Sequence, residues 1–150
     1  MRMKFYKFRA FILITLLRVL AFLLRVEKPP ILSVAAIIKK ENKILFLNLS
    51  YQKGYGLPGG IVQGGETLFE SLKREVKEET GLIVKKSNYY NSYHAKYLGI
   101  STISVAFFVE TIGELKSSDE GDLVWLEPKE VLGKLAYKDT EKTINDLLSK

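Results

Sequence analysis

The chain contains no cysteine, so disulfides and thiolate metal sites are both excluded, and the absence fits a reducing compartment. It has one histidine, His94, flanked by Tyr89, Tyr90, Tyr93 and Tyr97. A single imidazole beside aromatics reads as a packed or surface residue rather than a catalytic one. Proline is scarce, and none occurs between Pro58 and Pro128. Internal repeats and low-complexity tracts are absent as well. What remains is ordinary for a globular protein: 47% apolar and 27% charged residues, in a chain of 150 that is long enough for one compact domain.

The net charge of +6 suggests a nucleic-acid partner until its distribution is read. Residues 1–28 hold Arg2, Lys4, Lys7, Arg9, Arg18, Arg25 and Lys28 against Glu27 alone. The rest of the chain carries sixteen basic and sixteen acidic side chains and is formally neutral. A polymer-binding face needs basic surface on the folded part, so no nucleic-acid polymer is expected as a partner.

From Ala10 to Leu24 the chain is apolar except for Thr15 and Arg18, and Pro29-Pro30 closes the segment. A transmembrane helix needs roughly 20 apolar residues, and this run is shorter, with an arginine near its middle. No small-residue cleavage site follows it, which counts against a secretory signal. Arg9 and Arg18 lie on opposite faces of a helix at about 100° per residue, so the run is not a clean interfacial helix either. The favoured reading is a hydrophobic helix within residues 1–28 that associates with a membrane surface, its basic flanks meeting anionic lipid. The competing reading is a helix packed on the domain or on a second copy of the chain, which leaves a homodimer open.

Residues 31–150 read as the folded domain. Leu32 to Ile38 is a buried strand, residues 39–43 a polar turn, and Ile44 to Leu49 the returning strand of a hairpin. Seven residues among 54–65 are glycine or proline, which predicts loop. Thr67 with Glu70 forms a capping box, and Leu68, Leu72 and Val76 make the buried stripe of a helix that Gly81 ends in a left-handed cap. Leu82–Val84, Tyr89–Leu98, Ile100–Ile112 and Leu123–Leu126 read as strands. Pro128 opens a helix through about Leu135, and Asp139 or Thr140 caps a last helix through Leu148. The mixture of strands and helices predicts an α/β or α+β fold on a mixed sheet.

Glu75, Glu78 and Glu79 stand at i, i+3 and i+4 of the first of these helices and project from one face. Like charges at that spacing destabilise a helix by a few tenths of a kcal/mol per pair. Helix stability therefore does not account for the cluster, whereas a hard divalent cation does, since carboxylate oxygen is the ligand Mg²⁺ prefers. Taken alone, three glutamates would more often be a solvated acidic face.

They are not alone. Gly60, Glu66, Arg74-Glu75-Val76, Glu78-Glu79 and Gly81-Leu82 resemble the Nudix box, G-x5-E-x7-R-E-U-x-E-E-x-G-U with U aliphatic, at every specified position. Leu57-Pro58-Gly59-Gly60 is similar to the lead-in of that family. The resemblance implies an α/β/α sandwich with a mixed sheet over residues 31–150 and a Mg²⁺-dependent hydrolase, with Mn²⁺ as a substitute. Its expected substrate is a nucleoside triphosphate or a nucleoside diphosphate joined to another moiety, cleaved by water attack on phosphorus. On the same resemblance Gly60, Glu75, Glu78 and Glu79 would hold metal, Glu66 and Arg74 would orient those ligands, and Leu57, Gly59, Gly60 and Tyr97 would meet substrate. The general base is Glu78 or Glu79, or an acidic residue of Asp119-Glu120-Gly121-Asp122, of which Glu120 is favoured, and Arg74 completes the catalytic set. Residues 50–56, 87–98 and 113–122 are the candidate specificity loops.

Two absences bear on substrate. The family's ADP-ribose hydrolases often carry a proline downstream of the box, and the NADH-cleaving relatives carry zinc cysteines; neither has a counterpart here. The alternative function is a nucleotide-binding or sensor module that does not cleave, although such domains often lose a metal glutamate and this chain has lost none. The expected location is cytoplasmic, with attachment to the inner face of the membrane through residues 1–28.

Overall fold

The computed structural model describes Leu16 and residues 29–97, 100–116 and 119–150, with Tyr97 described in its backbone alone. The helix expected within residues 1–28 lies, apart from Leu16, outside the described residues, and so does the question of membrane attachment through it. Among the described residues no helix is long and apolar enough to cross a membrane.

The described chain runs β1 (Ile31–Lys40), β2 (Lys43–Leu49), β3 (Tyr55–Gly56), β4 (Gly59–Ile61), α1 (Leu68–Thr80), β5 (Ile83–Tyr97), β6 (Ile100–Ile112), β7 (Gly121–Leu126), a 3₁₀ turn (Pro128–Val131) and α2 (Lys138–Leu148). The principal strand order is β3-β2-β1-β6-β5, with β4 on β1 and β7 on β2. The β1–β6 pair is parallel and the other pairs are antiparallel, which makes the sheet mixed, as the sequence predicts.

The two faces of this sheet follow from period-2 alternation. Val34, Ala36 and Ile38 of β1, Leu45 of β2 and Val109 of β6 pack with Leu72 and Val76 of α1. Ile37, Ile44, Phe46 and Ala106, the intervening residues, pack with Ile144 of α2 and Val131. Each helix thus covers one face, and β1 is apolar on both sides because neither is solvent. The result is the expected α/β/α sandwich.

One irregularity creates the site. β1 and β2 pair only at their shared turn, Lys39 with Ile44 and Lys40 with Lys43. Further back along β1, β4 takes the edge instead, with Ser33, Val34 and Ala35 opposite Ile61, Gly60 and Gly59. The segment expected to be loop therefore contains two short strands, β3 and β4. Gly59 explains how glycine-rich backbone enters a sheet. Its φ is 152°, and a Cβ there would stand 2.1 Å from the Val34 carbonyl oxygen, so no side chain fits.

Other local expectations divide. The capping box of α1 is present, with the Glu70 amide donating to Thr67 Oγ1 at 3.2 Å and the Thr67 amide to Glu70 Oε2 at 2.8 Å. Gly81 ends α1 at φ 74°. The separate strands 82–84 and 89–98 are in fact one, β5, with register shifts between Val84 and Lys86 and between Tyr89 and Asn91. The helix expected from Pro128 to about Leu135 is a single 3₁₀ turn. Neither Asp139 nor Thr140 caps α2: Tyr137 is the N-cap, its side chain making no capping hydrogen bond, and both residues lie in the first turn. Tertiary docking sets this register. Asp146 Oδ2 accepts from the Tyr93 hydroxyl at 2.8 Å and from Asn91 Nδ2 at 3.2 Å, tying α2 to β5 and holding the Asp146 carboxyl well below the usual carboxylate range.

Candidate active site

A cavity of about 760 Å³ opens where β1 and β2 separate. Leu47 and Leu49 of β2 line one wall, and Ser33 and Ala35 of β1 another. At its acidic end Glu75 and Glu79 of α1 meet Gly59 and Gly60 of β4 and Glu120 of the turn before β7.

The glutamates of α1 do not act as one face. At about 100° per residue Glu79 lies some 40° from Glu75 to one side and Glu78 some 60° to the other. Glu75 and Glu79 accordingly line the cavity, while the Glu78 side chain is 60% exposed and outside the lining. Glu79 is 4% exposed, and its Oε2 accepts the Gly59 amide at 2.7 Å. Burial pushes the Glu79 carboxyl up to about 9, opposed by the Gly59 amide and reinforced by the facing Glu120 carboxyl and by Glu75. Burial also raises Glu75, and the adjoining Arg74 guanidinium works against that rise.

Arg74 organises the outer part of the site. Its Nε donates to Glu66 Oε1 at 2.7 Å and its Nη2 to Glu66 Oε2 at 3.0 Å, a two-pronged grip that draws the Glu66 carboxyl down to about 2. Nη1 donates to Glu75 Oε1 at 2.7 Å and to Glu78 Oε2 at 3.3 Å. A fixed guanidinium thus orients one cavity carboxylate from behind, an arrangement that holds ligand geometry in metal sites. A Cβ on Gly60 would stand 2.5 Å from Glu75 Oε1, so this position leaves room for the carboxylate only as glycine.

Glu120 reaches the site from far along the sequence. Ser50 fixes its backbone: the Ser50 amide donates to the Glu120 carbonyl at 2.9 Å, and Ser50 Oγ donates to the Asp119 and Glu120 carbonyls at 3.1 and 3.0 Å. Gly121 then passes so close to β2 that a Cβ would stand 2.2 Å from the Asn48 carbonyl oxygen. Neither Ser50 nor Gly121 is marked by sequence spacing, although the glycine inside an acidic run is a signal in retrospect.

The remaining expected site residues separate. Leu57, Gly59 and Gly60 line the cavity. The Tyr97 side chain, expected to meet substrate, lies outside the described residues. His94 shares a hydrogen bond with Ser101 Oγ at 2.8 Å on an exposed part of the sheet, away from the carboxylates. Of the candidate specificity segments, 50–56 contributes Tyr51 and 113–122 contributes Glu120, whereas 87–97 is strand rather than loop and reaches the cavity with Ala95 and Lys96. Sequence reasoning missed Ser33, Ser104 and Thr140, which line it too, and the Tyr51–Tyr137 hydroxyl pair at 2.7 Å among its lining residues.

The donor set fits a hard divalent cation in its chemistry: the buried Glu79 faces the partly buried Glu75 and the exposed Glu120, each disfavouring its charge, beside a glycine that leaves space. As arranged they are not a closed ligand shell, since among the described residues no three His, Asp or Glu groups converge on one point. Arg74 and the Gly59 amide hold the oxygens that an ion would take.

A NUDIX domain model matches residues 29–147. An ADP-ribose pyrophosphatase of Methanocaldococcus jannaschii is 38% identical over 125 residues, 79% of this chain and 73% of that protein. The NAD-capped RNA hydrolase NudC of Vibrio parahaemolyticus is 33% identical over 75% of this chain, which spans 46% of that relative's length. Among solved structures, the E. coli ORF135 protein superposes with a TM-score of 0.69 at 30% identity, covering 79% of this chain and 89% of that one. A MutT protein from Methanosarcina mazei Go1 gives 0.69 at 28% identity, covering 83% and 99%.

Proposed function

The chain belongs to the NUDIX domain family and is a Nudix hydrolase, and from that premise we propose that it cleaves the diphosphate linkage of a nucleotide derivative with the help of Mg²⁺. The observation that carries this reading is the meeting of Glu79 and Glu120 in one cavity with Gly59 and Gly60, from three separate parts of the chain.

In the proposed mechanism Glu75 and Glu79, with Glu78 and the Gly60 backbone oxygen, would hold the ion. When bound, the cation neutralises charge developing on the phosphate oxygens and lowers the pKa of the attacking water. Arg74 keeps the Glu75 carboxylate oriented from the side away from substrate. Glu120 is the favoured general base: it lines the cavity, Ser50 fixes its backbone, and it takes the proton of the water as the phosphorus–oxygen bond to the leaving phosphate breaks. Leu57 and Gly59 border the substrate.

Relatives named for ADP-ribose and for NAD-capped RNA keep both kinds of diphosphate among the substrates to be tried, although the family's downstream proline and zinc cysteines are missing here. The experiment is product analysis over a panel of nucleoside triphosphates, ADP-ribose and NADH, with Mg²⁺ or Mn²⁺. Release of a nucleoside monophosphate or of phosphate supports the proposal, and no turnover with any member rejects it. A sensor module that binds without cleaving is the competing reading, which the intact set of box glutamates counts against. Tight, metal-independent binding with no cleavage would establish it.

The proposal includes attachment to the inner face of a membrane through residues 1–28, supported by the apolar run from Ala10 to Leu24 and its basic flanks. Sedimentation of the full chain with anionic and with zwitterionic vesicles tests it, and equal recovery in both supernatants rejects it.

A further inference from the structure

Three elements that build the core turn polar as they reach the cavity. On β6, Ala106 is core, and Ser104, two residues earlier on the same face, lines the cavity. On β1 the same face runs from Ile37 through Ala35 to Ser33, and Ser33 and Ser104 are register partners of the parallel pair. On α2, Ile144 belongs to the same core cluster, and Thr140, about one turn earlier, lines the cavity.

Ser104 is 3% exposed and Thr140 5%. Neither hydroxyl has a hydrogen-bond partner among the described residues. Neither oxygen is sealed in, since among the described residues Gln52 Nε2 is the only buried side-chain polar atom without a partner, so both hydroxyls open onto the cavity that their residues line. Helix capping does not explain Thr140, because α2 begins at Lys138 and Thr140 lies inside its first turn. Asp139, beside it, also lines the cavity and presents a carboxylate that only accepts.

We propose that Ser104 and Thr140, together with Asp139, form a subsite for the hydroxyl groups of a sugar carried by the substrate. Hydroxyls that both donate and accept, next to a carboxylate that accepts, complement a ring bearing hydroxyls. The small side chains of Ala35 and Ala95 leave room for such a ring on the sheet. The inference rests on the diphosphate-hydrolase reading, which seats the phosphates at the Glu75/Glu79 end. The sugar is the nucleoside's own ribose or one joined through the far phosphate; the recognising chemistry is the same.

Calorimetry on the full chain with uncleavable methylene-bridged nucleotides separates these sources. One arm compares a methylene-bridged ATP with its 2′-deoxy and 3′-deoxy forms, and the other compares methylene-bridged ADP-ribose with methylene-bridged ADP. The full chain should prefer the hydroxylated member by about tenfold in one arm, which identifies the sugar. Ser104→Ala and Thr140→Val should each remove most of that preference while the melting temperature stays level. No preference in either arm, no binding of any member, or a preference that both variants keep would overturn the subsite. Turnover of the cleavable counterparts is followed in parallel. If none is turned over, the hydrolase reading fails while the affinities still decide the hydroxyl subsite.

Discussion

The amide of Gly59 donates to Oε2 of Glu79 at 2.7 Å, joining a glycine of β4 to the most buried carboxylate of α1. The bond places Glu79 at the head of the cavity. It is available only because Gly59 can pass Val34 at a distance that no side chain allows.

Substituting Gly59→Ala should therefore damage fold and site together. The added Cβ meets backbone, which cannot swing aside, at a φ that L side chains rarely adopt. A loss of about 2–4 kcal/mol in urea unfolding is expected, with catalytic activity lost as well. A variant with wild-type stability would show that β4 shifts without cost.

Glu79 also makes a pH dependence. Its carboxyl sits at about 9 in the folded chain against an ordinary value of 4.5, so between those values the folded state holds a proton that the unfolded state has lost. The stability of the metal-free chain should be full below pH 4.5 and fall as pH rises toward 9. Melting curves in chelator at pH 5, 7 and 9 read this directly, and added Mg²⁺ should restore most at pH 9. Glu79→Gln, which cannot ionise, should flatten the slope and reduce turnover by about 10³-fold or more. A slope that persists in this variant would assign the titration elsewhere.

Arg74→Lys keeps the charge and loses the fork that grips Glu66 while a third nitrogen reaches Glu75. Activity and Mg²⁺ affinity should fall about 10- to 100-fold with little change in melting temperature. Equal activity of the lysine variant would show that orientation of Glu75 does not matter to turnover.

Gly121→Ala tests the placement of Glu120. A methyl group there presses on the Asn48 carbonyl and forces β7 away from β2 at the residue following Glu120. Turnover should fall well below wild type even though no ionisable group has been changed. Glu120→Gln should lower kcat more than it raises KM, as expected for a residue acting on the water rather than on substrate binding. Unchanged kcat in both variants would remove Glu120 from the reaction.

What the sequence determined by itself was local and periodic. The capping box at Thr67, the Gly81 cap, the Leu72 and Val76 stripe and the β1–β2 hairpin were legible because each depends on residues a few positions apart. The carboxylate cluster was legible for the same reason, and the acidic run that includes Glu120 could be proposed from its place before a strand. Tertiary structure decided which glutamates share a cavity, because the helix phase separates Glu78 from Glu75 and Glu79, and only long-range packing brings Glu120 to Glu79. It also decided that Arg74 grips Glu66, that β4 rather than loop carries Gly59 and Gly60, and that Thr140 faces the cavity instead of capping α2. These depend on contacts across tens of residues, and neither spacing nor propensity encodes them one at a time.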